Sequence, residues 1–296
     1  MERCEVIRGR AFLAATLLVV ACLRREHATI ESSSESAAAP APAPTYEVHL
    51  KTPQPIRAHV PVHLALSIVN SNGTTPTLEE TYNASLHVIV VSRDLRWYAH
   101  LHSAASSAAD VAFDLTFPSD GEYVLFTYFR PQYAEVQTDR RPLVVGNPRR
   151  NEPLHPLPPT PLAREIRGYR VEMTETPQPP HANVWETFTL RMQRRGQPVA
   201  SLGSEGALGH LAIVAEGASD FVFAHSTIEE AGGIRSGLHV PMHPSLPDEA
   251  MHALKPVGPE VTFHARFPRP GRYKLWAELK PDSDDVMADF VVDVKQ

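Results

Sequence analysis

A fifteen-residue pattern occurs twice in this chain. Val111-x-Phe113-x3-Phe117-Pro118-x2-Gly121-x-Tyr123-x-Leu125 returns at Val261, Phe263, Phe267, Pro268, Gly271, Tyr273 and Leu275. Seven identities in 15 positions far exceed the roughly one that chance supplies, and they mark an internal duplication. Earlier landmarks recur in the same order. Tyr46, Val48 and Thr52-Pro53-Gln54-Pro55 return as Tyr169, Val171 and Thr176-Pro177-Gln178-Pro179. Leu86-His87-Val88 through His102-Ser103 returns as Gly209-His210-Leu211 through His225-Ser226, with the two histidines 15 residues apart in both copies. The offset is 123 or 124 in the first half and 150 in the second, which places an insertion of 27 residues, 227–253, in copy two.

The repeated unit reads as strands. Val60, Val62, Leu64, Leu66 and Ile68 alternate with Pro61, His63, Ala65 and Ser67, the period-two signature of a half-buried strand. Leu86 to Val91 is apolar on both faces, as in a central strand. The Phe-Pro-x-x-Gly-x-Tyr element predicts a strand, a tight turn bent at glycine and a returning strand. Beyond the N-terminus no window has a helical period. About seven short strands in roughly 100 residues predict a sandwich. The expected fold is all-β: two tandem immunoglobulin-like β-sandwich domains, at 46–146 and 168–296.

Proline, 28 residues against 15 glycines, marks the joints. Residues 147–167 contain NPRRNEPLHPLPPTPLA, a semi-rigid linker. Residues 22–45 are rich in Ser, Ala and Ala-Pro, which build no core and favour extended polyproline geometry. Before them stand Arg3, Arg8 and Arg10 and the apolar run Ala11 to Ala21, the charge and length of an export signal and too short to span a bilayer. The run ends in Val19-Val20-Ala21-Cys22, which resembles the bacterial lipobox. Cys22 is thus the expected lipidation site, residues 1–21 the signal and 22–45 a tether, with the membrane engaged through the lipid. Leu23 is not the aspartate of inner-membrane retention, so the outer membrane is the expected location. An ordinary signal with a chance cysteine is the plainer alternative.

Function classes narrow by exclusion. The net charge of −6 argues against nucleic acid as a partner. Cys4 and Cys22 are the only cysteines, too few for a disulfide framework or a thiolate metal site. Gly-x-Ser-x-Gly, a glycine-rich phosphate loop and His-Glu-x-x-His are missing. No enzyme is expected.

Histidine is the unusual residue, 15 in all. His100 and His102 are two apart, so on a strand they share a face. His87 lies on the preceding strand, within reach through a short connection. Three imidazoles on adjacent strands suit Cu(II) or Zn(II), with Asp114 as a candidate fourth ligand. In copy two Phe223 replaces the first histidine of the pair and His264 stands where Asp114 was, so the candidate set there is His210, His225 and His264. The insertion adds His239, Met242, His243, Met251 and His252, ligands that would suit Cu(I). For every one of these histidines, packing or hydrogen bonding on a strand is the structural alternative. For the insertion the alternative is a solvated loop.

Leu86-His87-Val88-Ile89-Val90-Val91-Ser92-Arg93-Asp94-Leu95, then Tyr98-x-His100-Leu101-His102, together with the Phe-Pro-x-x-Gly-x-Tyr-x-Leu ending, resembles a motif of exported bacterial proteins, the YtkA-like and CopC-like sandwiches. The resemblance covers about 46–146 and 168–296. It implies an immunoglobulin-like fold and a copper or heavy-metal context. Leu86 stands in place of that motif's methionine, Ser103 in place of its proline, and Phe223 removes one histidine. The expected function is a non-enzymatic envelope lipoprotein that binds copper through strand histidines for buffering or delivery to an envelope protein partner. The alternative is a structural or interaction module without metal.

Overall fold

The structure is a computed structural model that describes residues 45–80, 84–103, 109–148, 154–200, 202, 209–227, 258–281 and 284–296. The expected signal, Cys22, the expected tether to residue 44 and the Met/His-bearing insertion from residue 228 lie outside the described residues. The described residues belong to one compact unit.

The first half contributes β1 (Tyr46–Lys51), β2 (Pro61–Asn70), β3 (Leu78–Glu79), β4 (Leu86–Ser92), β5 (Tyr98–His102), β6 (Asp110–Thr116), β7 (Gly121–Pro131) and β8 (Gln137–Val145). They form two antiparallel sheets, β1-β2-β6 and β3-β7-β4-β5, with β8 also on β7. The second half contributes β9 (Ala163–Ile166), β10 (Tyr169–Thr176), β11 (Trp185–Arg194), β12 (Gln197–Pro198), β13 (Gly209–Ala215), β14 (Phe221–Thr227), β15 (Glu260–Arg266), β16 (Gly271–Leu279) and β17 (Val286–Val294). Here β14 pairs with both β13 and β15 and so joins the two layers into one continuous sheet, β17-β16-β13-β14-β15-β11-β10-β9. Among the described residues the only helical element is a 3-10 turn at Glu216–Ala218.

The duplication holds to the level of single residue pairs. Tyr46 faces Asn70 as Tyr169 faces Arg194. Leu64 faces Phe113 as Phe188 faces Phe263. His87 faces His102 as His210 faces His225, and Leu86 faces Phe129 as Gly209 faces Leu279. A slip of one residue would turn every side chain to the other face, so equal register means equal cores. Leu64, Leu66, Ile68, Val88 and Leu125 fill the first; Phe188, Leu190, Met192, Leu211 and Leu275 fill the second. On β2 the alternation begins inside the strand, because Val60 is half exposed just before it. The repeated Phe-Pro-x-x-Gly-x-Tyr pattern closes each sandwich with a tyrosine corner: Tyr123 Oη donates to Ser119 O at 2.9 Å and Tyr273 Oη to Arg269 O at 2.9 Å.

The apolar character of β4 on both faces has a cause that one sandwich alone does not supply. Val88 and Val90 face their own core, while Ile89 and Val91 turn outward and are equally buried. They meet Ala212, Val214, Trp276 and Val291 of the second sandwich in a third hydrophobic cluster. The two sandwiches therefore pack face to face through β5-β4-β7 and β14-β13-β16. The proline-rich segment fastens onto the second sandwich. Leu157 is buried in the shared cluster, its N–H donates to Glu216 and its carbonyl accepts from Arg272, and the Val291 N–H donates to Thr160 Oγ1.

Candidate metal centre between the sandwiches

The interface is nearly isologous within one chain: its ring contacts recur with the two copies exchanged. Tyr98 stacks on Trp276 with ring centroids 4.9 Å apart, and their equivalents Phe221 and Phe126 stack at 4.8 Å. Leu95 and Ala218, equivalent turn residues with φ of 57° and 55°, each offer a carbonyl to a cation of the other sandwich: Lys274 Nζ to Leu95 O at 3.0 Å, Arg140 Nε to Ala218 O at 2.7 Å. At the centre His87 and His210, equivalents of one another, lie 5.7 Å apart. His87–Phe223 at 5.1 Å matches His210–His100 at 5.2 Å.

At the centre the symmetry is broken chemically. On one side stand His100 and Glu278; their equivalents on the other side are Phe223 and Tyr128, in ring contact at 5.3 Å. The imidazole–carboxylate pair thus stands on one side alone. His100 Nδ1 donates to Glu278 Oε2 at 2.6 Å, and His100 Nε2 lies 3.1 Å from His87 Nδ1. His210 Nδ1 is 3.6 Å from the same Glu278 oxygen. A carboxylate carries no proton, so His100 bears its hydrogen on Nδ1; in its neutral form Nε2 then accepts from His87. The site lies at the rim of the contact: His87 is buried and the His100 side chain is 6% exposed, while His210 and Glu278 are 17% and 28% exposed and His102 is exposed. Burial pushes the Glu278 carboxyl up, but His100 and His210, by hydrogen bonding and by charge, outweigh it and hold it far below the usual carboxylate range. Burial lowers the pKa of His102, and the charges of His100 and His210 add to this. Burial, with the Glu278 charge behind it, raises the Tyr98 phenol well above its ordinary value.

His100, His210 and Glu278 each offer one ligand atom, and these atoms lie within 4.8 Å of one another. Ligand atoms around a tetrahedral ion with bonds near 2 Å sit about 3.3 Å apart, so side-chain adjustments of about an ångström suffice to enclose one. Two imidazoles and a carboxylate suit Zn(II) or Cu(II). An ion held by His100 Nδ1 and Glu278 would take the place of the proton between them. His87 and His102 complete the neighbourhood, their rings 5.4 and 5.5 Å from that of His100.

The arrangement corrects the expectation of one ligand set per copy. His87, His100, His102 and His210 come together; Asp114 and His264 do not join them. Asp114 is an exposed residue of β6, in the other sheet, bonded to His63 Nδ1 at 3.0 Å. His264 lies on β15, where its Nδ1 is 3.1 Å from Thr187 Oγ1. Both face away because strands of the opposite layer present their outer residues to solvent, not to the partner sandwich. The backbone of His225 pairs with His210; its side chain lies outside the described part of the structure. Glu278 has no forerunner in the sequence pattern of histidines. Its signal was the position equivalent to Tyr128, directly opposite His210 across β13 and β16.

Among the described residues no helix is long and apolar enough to cross a membrane. No curated protein matches the chain. Among solved structures, the chain overlaps the Escherichia coli adhesin FdeC at 11% identity and a TM-score of 0.22, over 85% of this chain and 64% of that one. It thus spans less than two thirds of that adhesin chain. It overlaps a two-domain fibronectin type-III segment from chicken tenascin at 6% identity and a TM-score of 0.22, over 83% and 98%. The fold class rests on the sheets themselves: two antiparallel sandwiches with matched register and tyrosine corners. A family model matches both halves, at residues 41–141 and 164–296, and on that match the chain belongs to the family described as Domain of unknown function (DUF8832).

Proposed function

We propose that this chain is a non-enzymatic binding protein of the cell envelope, held by a lipid at Cys22, that carries one transition-metal ion between its two sandwiches. The observation behind this reading is the convergence of His100, His210 and Glu278, with His87 and His102 beside them, on a half-buried seam. The donor set favours a divalent ion, Cu(II) or Zn(II), over Cu(I), because it mixes imidazole with carboxylate and has no sulfur ligand. One ion per chain is expected, because Phe223 and Tyr128 occupy the equivalent half-site. Copper buffering or delivery to an envelope partner is the role that such a site would serve.

A second reading is favoured by one observation. His87, His100 and Glu278 already form a hydrogen-bonded chain without any ion, so the same side chains would serve an envelope structural or interaction module as a polar lock. Calorimetric titration of the purified chain with Zn(II) and Cu(II) separates the two. The metal reading expects one ion per chain, with affinity reduced at least about tenfold, or about 1.4 kcal/mol, in His100→Ala. Binding weaker than about millimolar, or unchanged in His100→Ala and His210→Ala, leaves the lock.

A further inference from the structure

We infer that the ion acts as a clamp: its binding and the closure of the two sandwiches on each other are one linked equilibrium. The inference rests on the metal reading above and adds to it a conformational consequence. His100 belongs to β5 of the first sandwich, whereas His210 and Glu278 belong to β13 and β16 of the second. Neither half alone holds the set of three. The covalent connection between the halves is the proline-rich segment, and its contacts through Leu157 and Thr160 go to the second sandwich. Around the ligands the seam is sealed by two aromatic stacks and by small or branched side chains at Ile89, Val91, Ala212 and Val214. Next to it a cleft of about 1170 Å³, lined in part by Trp97, Glu122, His155 and Lys274, brings solvent to the edge of the contact. The halves can part along this seam without either core being opened, since Val88 and Leu211 belong to separate clusters. Parting separates the ligands. Linkage then requires the ion to favour the closed form by as much as closure favours the ion.

The test uses the full chain and Zn(II) as the probe. Photochemical hydroxyl-radical labelling is followed at Tyr98 and Trp276, whose rings meet across the seam, with and without the ion. At a hundredfold excess of free Zn(II) over its Kd, labelling through seam opening should slow about a hundredfold. In parallel, Phe126→Ala/Phe221→Ala removes one stack without touching a ligand, and Zn(II) affinity should fall at least about tenfold. Zn(II) bound with unchanged labelling at Tyr98 and Trp276 overturns the clamp and leaves the metal site standing. The clamp is equally overturned if the double variant is mostly open without the ion and still binds Zn(II) as the parent does. If the double variant stays closed or does not fold, labelling in the parent chain decides. No binding of Zn(II) to the parent chain removes the metal reading and the clamp with it.

Discussion

Replacing Trp276 by alanine isolates the energy of the seam from that of either core. Trp276 is 3% exposed, stacks on Tyr98 at 4.9 Å with 19° between the rings, and lies under Lys274 at 5.0 Å. Its chain neighbours Leu275 and Ala277 point the other way, into the second core. Truncating a buried Trp to Ala costs about 3–5 kcal/mol, of which the aromatic pair accounts for about 0.5–1.5 beyond its area. Lys274 keeps Asp289 at 3.1 Å and Leu95 O at 3.0 Å, so its charge remains compensated. The loss should fall on the coupling between sandwiches. Urea unfolding followed by circular dichroism should show one cooperative transition in the parent chain and two in the variant, with each core near its own stability. Phe126→Ala, the equivalent position in the first half, should behave alike. A loss below about 1 kcal/mol, or a single transition retained after a loss of the full size, would refute the view that this seam couples the halves.

Other perturbations give distinct signatures. Glu278→Gln removes the charged acceptor of His100 and should cost about 1–3 kcal/mol at pH 7, read from the urea midpoint. Because the Glu278 pKa is depressed in the folded chain, its stabilisation is present above the unfolded value and lost only as pH falls through the folded one, so the gap between parent and variant should persist down to mildly acidic pH; a gap that closes at neutral pH contradicts the assignment. Glu186 is the opposite case: burial raises its pKa against the opposing His181 N–H and charge, and its Oε2 is buried without a hydrogen-bond partner. A raised carboxyl contributes its full stability below the unfolded value and loses it as pH rises through the folded one. Glu186→Gln keeps an acceptor for the His181 N–H and should gain about 1 kcal/mol at pH 7, a rise of about 2–4 °C in Tm, with no gain near pH 4; equal melting temperatures at pH 7 would count against it. Gly209→Ala places a Cβ 2.7 Å from the Glu278 carbonyl and 3.0 Å from Leu279 Cδ2; overpacking there should cost about 1–3 kcal/mol, and a neutral result by thermal melting would mean that β13 and β16 yield more than their packing implies.

The strands were legible because each unit faces one core with a strict period of two, and Leu64, Leu66 and Ile68 of β2 display it directly. The repeat extended that reading to the second half, down to the register of Phe188 against Phe263. What stayed hidden was the other face. Ile89, Val91, Ala212 and Val214 advertise burial without saying against what, and an apolar strand reads the same whether its second layer is its own helix, its own sheet or a neighbouring domain. The candidate site suffered from the same blindness. His87, His100 and His102 were drawn together by local spacing, but His210 and Glu278 reach them across 110 and 178 positions of sequence from His100. Local spacing also proposed Asp114 and His264, and it had no means of knowing that β6 and β15 belong to the far layer of each sandwich.

Two separate identical chains meeting through this face would have to place every group twice. A carboxylate at the position of Glu278 would be mirrored by a second one across the same seam, and both would need neutralising. Joining the copies in one polypeptide lifts that obligation. One half can keep His100 and Glu278 as donor and acceptor, while the other fills the mirrored positions with Phe223 and Tyr128, whose rings demand no counter-charge. Carrying both copies in one chain thus gives this molecule something a homodimer is denied: a single acid at a centre that would otherwise hold two.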